Sequence, residues 1–212
     1  NAQAWLNDQA SPQDAVNLQK KTIPLILAYA GITEENGTPT SSRMGVRAHM
    51  RAMSMPNASY GAYAMGDHVG YREPAVGSIF AGKPYNWALT HELGHQLDIP
   101  GGTWAEITNN VWANYIQTDV NKGTDRAEAY GWYNNAFIHS APDSYATQKD
   151  VPWRTNALWQ LRLLKDNYWP EYQKALRNGK YADAGLTQPE RIAAVSSAVM
   201  GMDLTEHFAR YD

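Results

Sequence analysis

Residues 87–97 read WALTHELGHQL, and they decide the fold class because they place two histidines four residues apart in a run compatible with a helix. Positions i and i+4 share one helical face, so the imidazoles of His91 and His95 can reach a single metal ion. Glu92 lies about 100° around the helix from His91, beside the open position of such an ion rather than on it. A bound zinc lowers the pKa of its water toward ~7, and Glu92 is predicted to accept the proton.

The pentapeptide H-E-x-x-H also occurs by chance on solvent-facing helices, so the prediction depends on a third ligand. The chain has no Cys to supply one. The run IPGG at 99–102 ends the first helix and Thr103 can cap a second, which puts Glu106 at the position of a capping-box partner. A helix hairpin with a tight turn would instead return Glu106 to the two histidines, and we favour this ligand role over the cap.

Two further polar side chains are placed where they could orient the ligands. Asp98 follows His95 by three residues; it is the rival carboxylate for the metal, but it could instead hydrogen-bond an imidazole. Asn110 lies one turn beyond Glu106 and could fix the tautomer of a histidine, or it could be a buried amide satisfied by the backbone. We predict that Asp98 and Asn110 contact the ligands rather than the metal.

The remaining pattern predicts an α+β fold that is predominantly helical. A small sheet is expected within residues 46–80, where short apolar runs are punctuated by glycines, and it precedes the H-E-x-x-H helix. The 212 residues suit one compact domain. Helices are predicted at residues 14–29, 87–97, 103–118, 155–166, 170–178, 189–199 and 204–211.

Composition and charge exclude several classes of function. The net charge is −3 and the chain has no dense Lys/Arg run, which argues against nucleic acid as a partner. No apolar stretch approaches the ~20 residues that span a bilayer. The absence of Cys excludes disulfides and a Cys nucleophile. The 8 Trp and 13 Tyr against only 3 Phe suit either a partly wet, carbohydrate-binding surface or a Trp-rich core.

Two segments around the motif resemble the M60 peptidase family, the enhancin-like or mucin-degrading gluzincins. They are the run at 87–96 and the run EITNN at 106–110, which is similar to the family's E-[VI]-T-N-N. The resemblance covers most of residues 43–211. Further similar segments are HVGY at 68–71, LWQL at 158–161 and NYWP at 167–170.

The resemblance implies a zincin-like catalytic domain with one Zn2+ per chain, held by His91, His95 and Glu106, that hydrolyses peptide bonds in O-glycosylated, mucin-like proteins. It also implies a secreted or cell-surface protein. We expect a monomer in which residues 1–212 form a single catalytic domain from a longer multidomain protein. Two alternatives stay open: a general gluzincin peptidase without a glycan requirement, and a non-catalytic glycan-binding or adhesion module. The presence of Glu92 with all three ligands favours an enzyme.

Residues outside the motif are candidates for binding the substrate. His68, Gly70 and Tyr71 could belong to an edge strand beside the cleft, where a peptide pairs through its backbone, or they could be an ordinary strand end. Trp104 lies between the metal-bearing segments, where its ring could stack on a sugar or pack the hairpin, and packing is favoured. Hydrolysis also needs an electrophile for the oxyanion, and the candidates are Tyr130, Tyr133, His139 and His207.

Overall fold

The computed structural model describes residues 12–32, 49–53, 62–65, 68–72, 86–104, 106–131 and 151–211. Its helices are α1 (Pro12–Tyr29), α2 (Trp87–His95), α3 (Thr108–Tyr115), α4 (Arg126–Ala129), α5 (Val151–Trp159), α6 (Tyr168–Arg177), α7 (Gln188–Met200) and α8 (Thr205–Ala209). Its strands are β1 (His49–Met53), β2 (Ala62–Met65) and β3 (His68–Arg72). A π-helical turn, Ile116–Val120, continues α3, and a 3₁₀ turn, Gln160–Leu163, continues α5. This order confirms the predicted α+β fold, predominantly helical with a small sheet ahead of α2.

The sheet has the strand order β1-β3-β2, with β3 in the middle. Strand β3 is parallel to β1 and antiparallel to β2, in a register that pairs Tyr63 with Gly70. The prediction that His68, Gly70 and Tyr71 form an edge strand is therefore wrong, because all three lie in the central strand β3. Strand order depends on pairing between residues distant in the chain, which local alternation of residue types does not specify.

Helix α1 ends against α6 at a close backbone contact. Gly31 has a φ of 64°, and a Cβ at this position would lie 2.2 Å from the backbone nitrogen of Lys174. Arg177 Nε donates to the carbonyl of Ala30 at 2.5 Å, and its Nη2 donates to the carbonyl of Leu97 at 3.1 Å. Helix α6 thus holds both the end of α1 and the chain just beyond α2.

The core between the helices is built largely from aromatic rings. Tyr115 meets Trp159 edge-on with ring centroids 4.9 Å apart, and it stacks on Trp169 at 6.3 Å. Four of the described tryptophans are at most 8% exposed, namely Trp104, Trp112, Trp159 and Trp169. For these rings the Trp-rich core is the correct alternative, and the carbohydrate-binding surface is not.

The C-terminal helices follow their local sequence signals. Helix α7 begins with a capping box in which the side chains of Thr187 and Glu190 each accept from the other's backbone, and a proline occupies its first turn. The predicted helix at 189–199 is observed as Gln188–Met200, and the one at 170–178 as Tyr168–Arg177. Within the described ranges, none of the helices combines the length and the hydrophobicity needed to cross a bilayer.

Candidate metal centre

Helix α2 is fixed at its start by its own sequence and by the sheet. Asn86 caps it, since the Asn86 side chain accepts from the backbone N–H of Leu89 at 2.9 Å. The hydroxyl of Tyr71, on β3, donates to the carbonyl of Leu89 at 3.0 Å. The buried face of the helix carries Leu89, Thr90, Leu93 and Gly94, and this leaves the histidines and Glu92 on the opposite face.

Gly94, between the two histidines, lets α3 approach α2 closely. A Cβ at position 94 would lie 2.6 Å from Cδ1 of Trp112 and 2.8 Å from Cα of Asn109. Carbon atoms do not approach to such distances without displacement of one of the helices. The glycine therefore brings the polar side chains of α3 within reach of the imidazoles of α2.

The chain between α2 and α3 is a turn rather than the first turn of a helix, so the predicted helix at 103–118 starts too early. Helix α3 begins at Thr108, and Glu106 has a φ of 63°, in the left-handed region. Thr103 does not cap α3; its hydroxyl exchanges hydrogen bonds with the backbone of Ile99, both at 3.0 Å. The capping-box alternative for Glu106 is wrong, because no helix starts at Thr103 and the backbone of Glu106 is left-handed.

Three donor atoms converge in front of α2. His91 Nε2 lies 3.1 Å from Glu106 Oε2, and His95 Nε2 lies 3.3 Å from Glu106 Oε1. Ligand atoms of these three side chains all lie within 4.8 Å of one another. Donors at about 2.0–2.2 Å from a tetrahedral zinc are about 3.3–3.6 Å apart, so this arrangement is compatible with a metal site.

Each imidazole uses its other nitrogen, Nδ1, to contact a side-chain oxygen. His91 Nδ1 lies 2.7 Å from Asn110 Oδ1, and His95 Nδ1 lies 3.5 Å from Asp98 Oδ2. The contact with Asp98 raises the pKa of His95. An oxygen facing Nδ1 favours the tautomer that carries its proton on Nδ1, and this tautomer leaves the lone pair of Nε2 directed toward a metal. Asp98, the rival carboxylate, is thus on the outer nitrogen of His95 and not among the three converging groups.

Asn110 also connects the histidine to the turn. Its Nδ2 donates to the backbone carbonyl of Glu106 at 2.6 Å, while its Oδ1 faces His91. One buried amide therefore orients an imidazole of α2 and holds the turn that carries the carboxylate. The backbone contact and the histidine contact, which the sequence left as alternatives, both occur.

Asn109 is part of the site, although it is not among the residues predicted from the sequence. Its side chain lies 2.9 Å from His91 Nε2 and 2.8 Å from His95 Nε2, and the residue is 1% exposed. Its Oδ1 accepts from the backbone N–H of Asn110 at 3.1 Å. The only sequence signal was its place in the EITNN run, three residues after Glu106.

Glu92 lies on the cleft side of α2 with its carboxylate partly buried. Burial raises the pKa of Glu92, and the neighbouring His91 and His95 act in the opposite direction. A carboxylate with a raised pKa is better matched to proton transfer near neutral pH than a fully exposed one.

A cleft of about 720 Å³ opens in front of these residues. Strand β2, the edge of the described sheet on this side, forms one wall, and the other wall includes Glu92 and Gln96. Gln96 Nε2 donates to the carbonyl of Met65 at 3.3 Å, which ties β2 to the end of α2. Neither β2 nor Gln96 was predicted to border the site, because nothing in the local sequence of either indicates it.

Three of the predicted substrate-binding residues, Gly70, Tyr71 and Trp104, are not among the described residues that line the cleft. Tyr71 is fully buried and anchors α2, and Gly70 is covered by the ring of Tyr63, since a Cβ there would lie 2.2 Å from Tyr63 Cε1. Trp104 is 8% exposed and packs in the core. The backbone of His68 lies in β3, and its side chain is outside the described part of the chain.

The described oxyanion candidates also lie away from the cleft walls. Tyr130 is 65% exposed, with the guanidinium carbon of Arg126 5.5 Å from its ring. His207 Nε2 donates to the carbonyl of Ala157 at 2.7 Å, and burial lowers the pKa of His207. Neither is among the described residues that line the cleft. Tyr133 and His139 lie outside the described residues.

Several solved structures with the same fold are metallopeptidases. The catalytic module of the metalloprotease ZmpA from Clostridium perfringens matches with a TM-score of 0.76 at 21% identity, over 98% of this chain and 41% of that one. The M60 catalytic domain of ZmpC from the same organism, solved in complex with the sialyl T antigen, matches with a TM-score of 0.69 at 24% identity, over 97% and 41%. A metallopeptidase from Bacteroides thetaiotaomicron matches with a TM-score of 0.66 at 20% identity, over 95% and 36%.

The chain thus spans less than half the length of these solved chains, and at such identities the likeness concerns the fold. No curated protein sequence matches it. The sequence profile of one family, described as peptidase M60, enhancin and enhancin-like, matches residues 27–212. Because that match spans most of the chain, and the same zincin-like fold recurs in these metallopeptidases, the chain belongs to the peptidase M60 family.

Proposed function

We propose that this chain is a zinc-dependent endopeptidase in which His91, His95 and Glu106 hold the ion and Glu92 is the general base. The observation that carries the proposal is the convergence of the three donors, with Nε2 atoms of the two histidines 3.1 and 3.3 Å from the Glu106 carboxylate. Two imidazoles and a carboxylate form a common donor set of hydrolytic zinc sites, which keep a fourth position for water. Membership of a peptidase family supports the same chemistry.

The roles of the protein side chains follow from their contacts. When bound, zinc supplies a Lewis acid and a water whose pKa is lowered toward ~7. Glu92, on the cleft wall beside the ligands, accepts the proton of the attacking water and delivers it to the leaving amine. Asn110 and Asp98 keep the two imidazoles in the orientation and tautomer that this requires.

Strand β2 is proposed to align the peptide. It lines the cleft and pairs on one side with β3, so its other side is the sheet edge that faces the site among the described residues. An extended peptide that adds to this edge gains backbone hydrogen bonds independent of its sequence. The contact between Gln96 and the carbonyl of Met65 keeps the edge in place relative to α2 and to Glu92.

We further propose that the substrate is an O-glycosylated, mucin-like protein and that the enzyme acts outside the cytoplasm. Support comes from the M60 domain of ZmpC, whose structure holds the sialyl T antigen and which is 24% identical to this chain. The cleft of about 720 Å³ is in the upper part of the ~300–1,000 Å³ range of ligand pockets, which leaves room for a sugar beside a peptide. A sugar held in the cleft would also help to align the reacting carbonyl.

The test combines metal analysis with paired peptides. Elemental analysis of the purified chain should give one zinc per chain. Two peptides of identical sequence, with and without one O-linked GalNAc on a Ser or Thr, should differ, with cleavage of the glycosylated one only. Equal cleavage of both would leave a general zinc peptidase, whereas binding of the glycopeptide without cleavage by the zinc-loaded chain would favour a non-catalytic module.

The general-base role of Glu92 has its own test. The substitution Glu92→Gln keeps the shape of the side chain but removes the proton acceptor, so kcat should fall about 10²–10⁴-fold. Zinc content and Tm should remain those of the wild type, because Glu92 is not one of the three ligands. A variant with near-normal turnover would assign the base to another residue.

A further inference from the structure

Gln173, on α6, has a buried side-chain oxygen that no described group satisfies. The residue is 4% exposed, and its Oε1 has no hydrogen-bond partner among the described residues. Buried side-chain acceptors almost always have a partner, which is either a protein group or an ordered water. The neighbouring residue, Tyr172, anchors α6 through a 2.8 Å hydrogen bond to the carbonyl of Gly102, so the position of Gln173 is well fixed.

Gln173 lines a small cavity that Asp98 also lines. The cavity has a volume of about 10 Å³ and lies where α6 faces α2 and α3. Gly94, Thr108 and Trp112 form part of its wall. A volume of about 10–15 Å³ is what one water molecule needs, provided that polar partners surround it.

The two acceptors at the cavity would both be satisfied by one donor that carries two hydrogens. Gln173 Oε1 and the carboxylate of Asp98 are both acceptors, so they cannot bond each other directly. The hydroxyl of Thr108 already points to Asp98 Oδ1 at 3.2 Å and to the carbonyl of Trp104 at 2.8 Å. A water molecule can donate one hydrogen to Gln173 and the other to Asp98, which satisfies both acceptors at once.

We propose that a single buried water in this cavity links Gln173 to Asp98, and that Gln173 is a positioning residue that acts through Asp98 on His95. Asp98 lies 3.5 Å from His95 Nδ1, so the direction of its carboxylate sets the orientation of the imidazole. The water gives this carboxylate a third contact, in addition to those with His95 and Thr108. Helix α6 thereby takes part in the metal centre without supplying a ligand. This inference rests on the proposed zinc site, but not on the reaction or its substrate.

Two measurements test the link. The first is a crystal structure of the zinc-loaded wild type at a resolution that shows ordered water. We expect one water within hydrogen-bond distance of both Gln173 Oε1 and an oxygen of Asp98. A cavity without water, or a direct bond between Gln173 and another protein group in its place, would overturn the proposal.

The second measurement is the zinc Kd of variants, obtained by competition with a chromophoric chelator. Gln173→Met keeps the size of the side chain and removes the acceptor, so zinc binding should weaken at least about threefold, less than the ~10–100-fold typical of losing a direct contact to a ligand. The control is Ser196→Ala, which removes the 2.8 Å contact with Tyr168 between α7 and α6 and should leave the zinc Kd unchanged.

A double variant distinguishes action through Asp98 from a general loosening of the helices. In an Asp98→Ala background, Gln173→Met should change the zinc Kd no further, because the group through which it acts is gone. An equal threefold loss in both backgrounds, or an unchanged Kd in the Gln173→Met single variant, would contradict the proposal. Both zinc measurements remain decisive if the zinc-loaded chain cleaves no peptide, so failure of the peptidase function is distinguishable from failure of this link.

Discussion

His91 and His95 stand on a regular, capped helix, whereas Glu106 stands in a turn whose backbone is left-handed at that residue. The histidine side chains are 17% and 19% exposed, while that of Glu106 is 61% exposed. On the helix, the spacing of the side chains follows from 3.6 residues per turn. The turn has no such repeat, so the position of the Glu106 carboxylate depends on the hydrogen bonds that the neighbouring residues make.

This difference shows that helix α2 and the turn that carries Glu106 are made rigid by different kinds of contact. Helix α2 is held mainly by packing, through the close approach at Gly94, together with one hydrogen bond from the hydroxyl of Tyr71 to the carbonyl of Leu89. The turn is held by hydrogen bonds, from Thr103 to Ile99 and from Asn110 to the carbonyl of Glu106. Changes on the helix should therefore act through steric fit, and changes in the turn through backbone conformation and single polar contacts.

The largest effect is expected at Asn110, which connects the two halves. Asn110→Ala removes the contacts to His91 and to the carbonyl of Glu106, so the zinc affinity should fall about 10–100-fold, as is typical when a ligand loses the group that orients it. Asn110→Asp keeps an oxygen for His91 Nδ1 but loses the donor to Glu106. If the contact with His91 contributes more than the contact with Glu106, Asn110→Asp should retain most of the wild-type affinity for zinc in a chelator competition.

The control for this pair is Asn114→Ala, one turn further along α3. Asn114 is fully buried and bonds Asp125 and the backbone of Arg126, so its loss destabilises the fold away from the ligands. A zinc affinity reduced as much in this control as in Asn110→Ala would assign the effect to the fold and not to the orientation of His91.

The next effect concerns steric fit on the helix side. Helix propensity alone predicts that Gly94→Ala stabilises the protein by about 1 kcal/mol. The added Cβ would, however, lie 2.6 Å from Trp112, so we expect a net loss of about 1–3 kcal/mol in the free energy of unfolding, measured in urea. The control is Ala88→Gly at an exposed position of α2, which should lower the free energy of unfolding by the ordinary helix-propensity cost of about 1 kcal/mol. A Gly94→Ala protein more stable than the wild type would show that α3 does not pack closely on α2.

In the turn, the backbone itself can be tested by comparing two substitutions that both remove the carboxylate. Since Glu106 has a φ of 63°, Glu106→Gly should be more stable than Glu106→Ala by about 1 kcal/mol. The same pair at Lys122, an exposed residue with a φ of 55°, calibrates the difference away from the metal centre. Equal stability of the two Glu106 variants alongside a clear difference at Lys122 would refute the left-handed turn.

The smallest expected effect concerns the pKa of two histidines, His95 and His207, which lie in different environments. Asp98 raises the pKa of His95, whereas burial lowers that of His207, whose partner is a carbonyl. Because the pKa of His207 is lower in the folded state than in the unfolded state, the unfolded state binds more protons as the pH falls below about 6.5. The contribution of His207 to the free energy of unfolding is therefore fully present above that pH and is lost as the pH decreases. Between pH 7 and 5.5 the wild type should lose about 1 kcal/mol or less relative to His207→Gln, measured by urea unfolding. A parallel pH dependence of the two proteins would contradict this assignment.

The sequence by itself determined the features that depend on neighbouring residues. The spacing of His91, Glu92 and His95 predicted a helix with three polar groups on one side, and the structure has it as α2. The helix predicted at 189–199 is observed as α7 for the same reason, because the signals at its start, a proline and the capping box that the structure shows, involve only residues within one turn. The family resemblance around residues 87–96 was also recoverable from the chain alone, and the match of residues 27–212 confirms it.

Only the tertiary structure decided which residues meet across the site. It put Glu106 in a left-handed turn instead of a helix, placed β3 in the centre of the sheet, and turned Tyr71 from a predicted cleft residue into a buried anchor. It also brought Asn109, whose only signal was its place in the EITNN run, to the ligands, and Gln173, which carried no signal, to the cavity behind them. The physical reason is that helical periodicity and capping involve bonds between residues within one or two turns. Three other features depend on segments that are distant in the chain: the strand order, the approach of two helices at a glycine and the partners of buried amides.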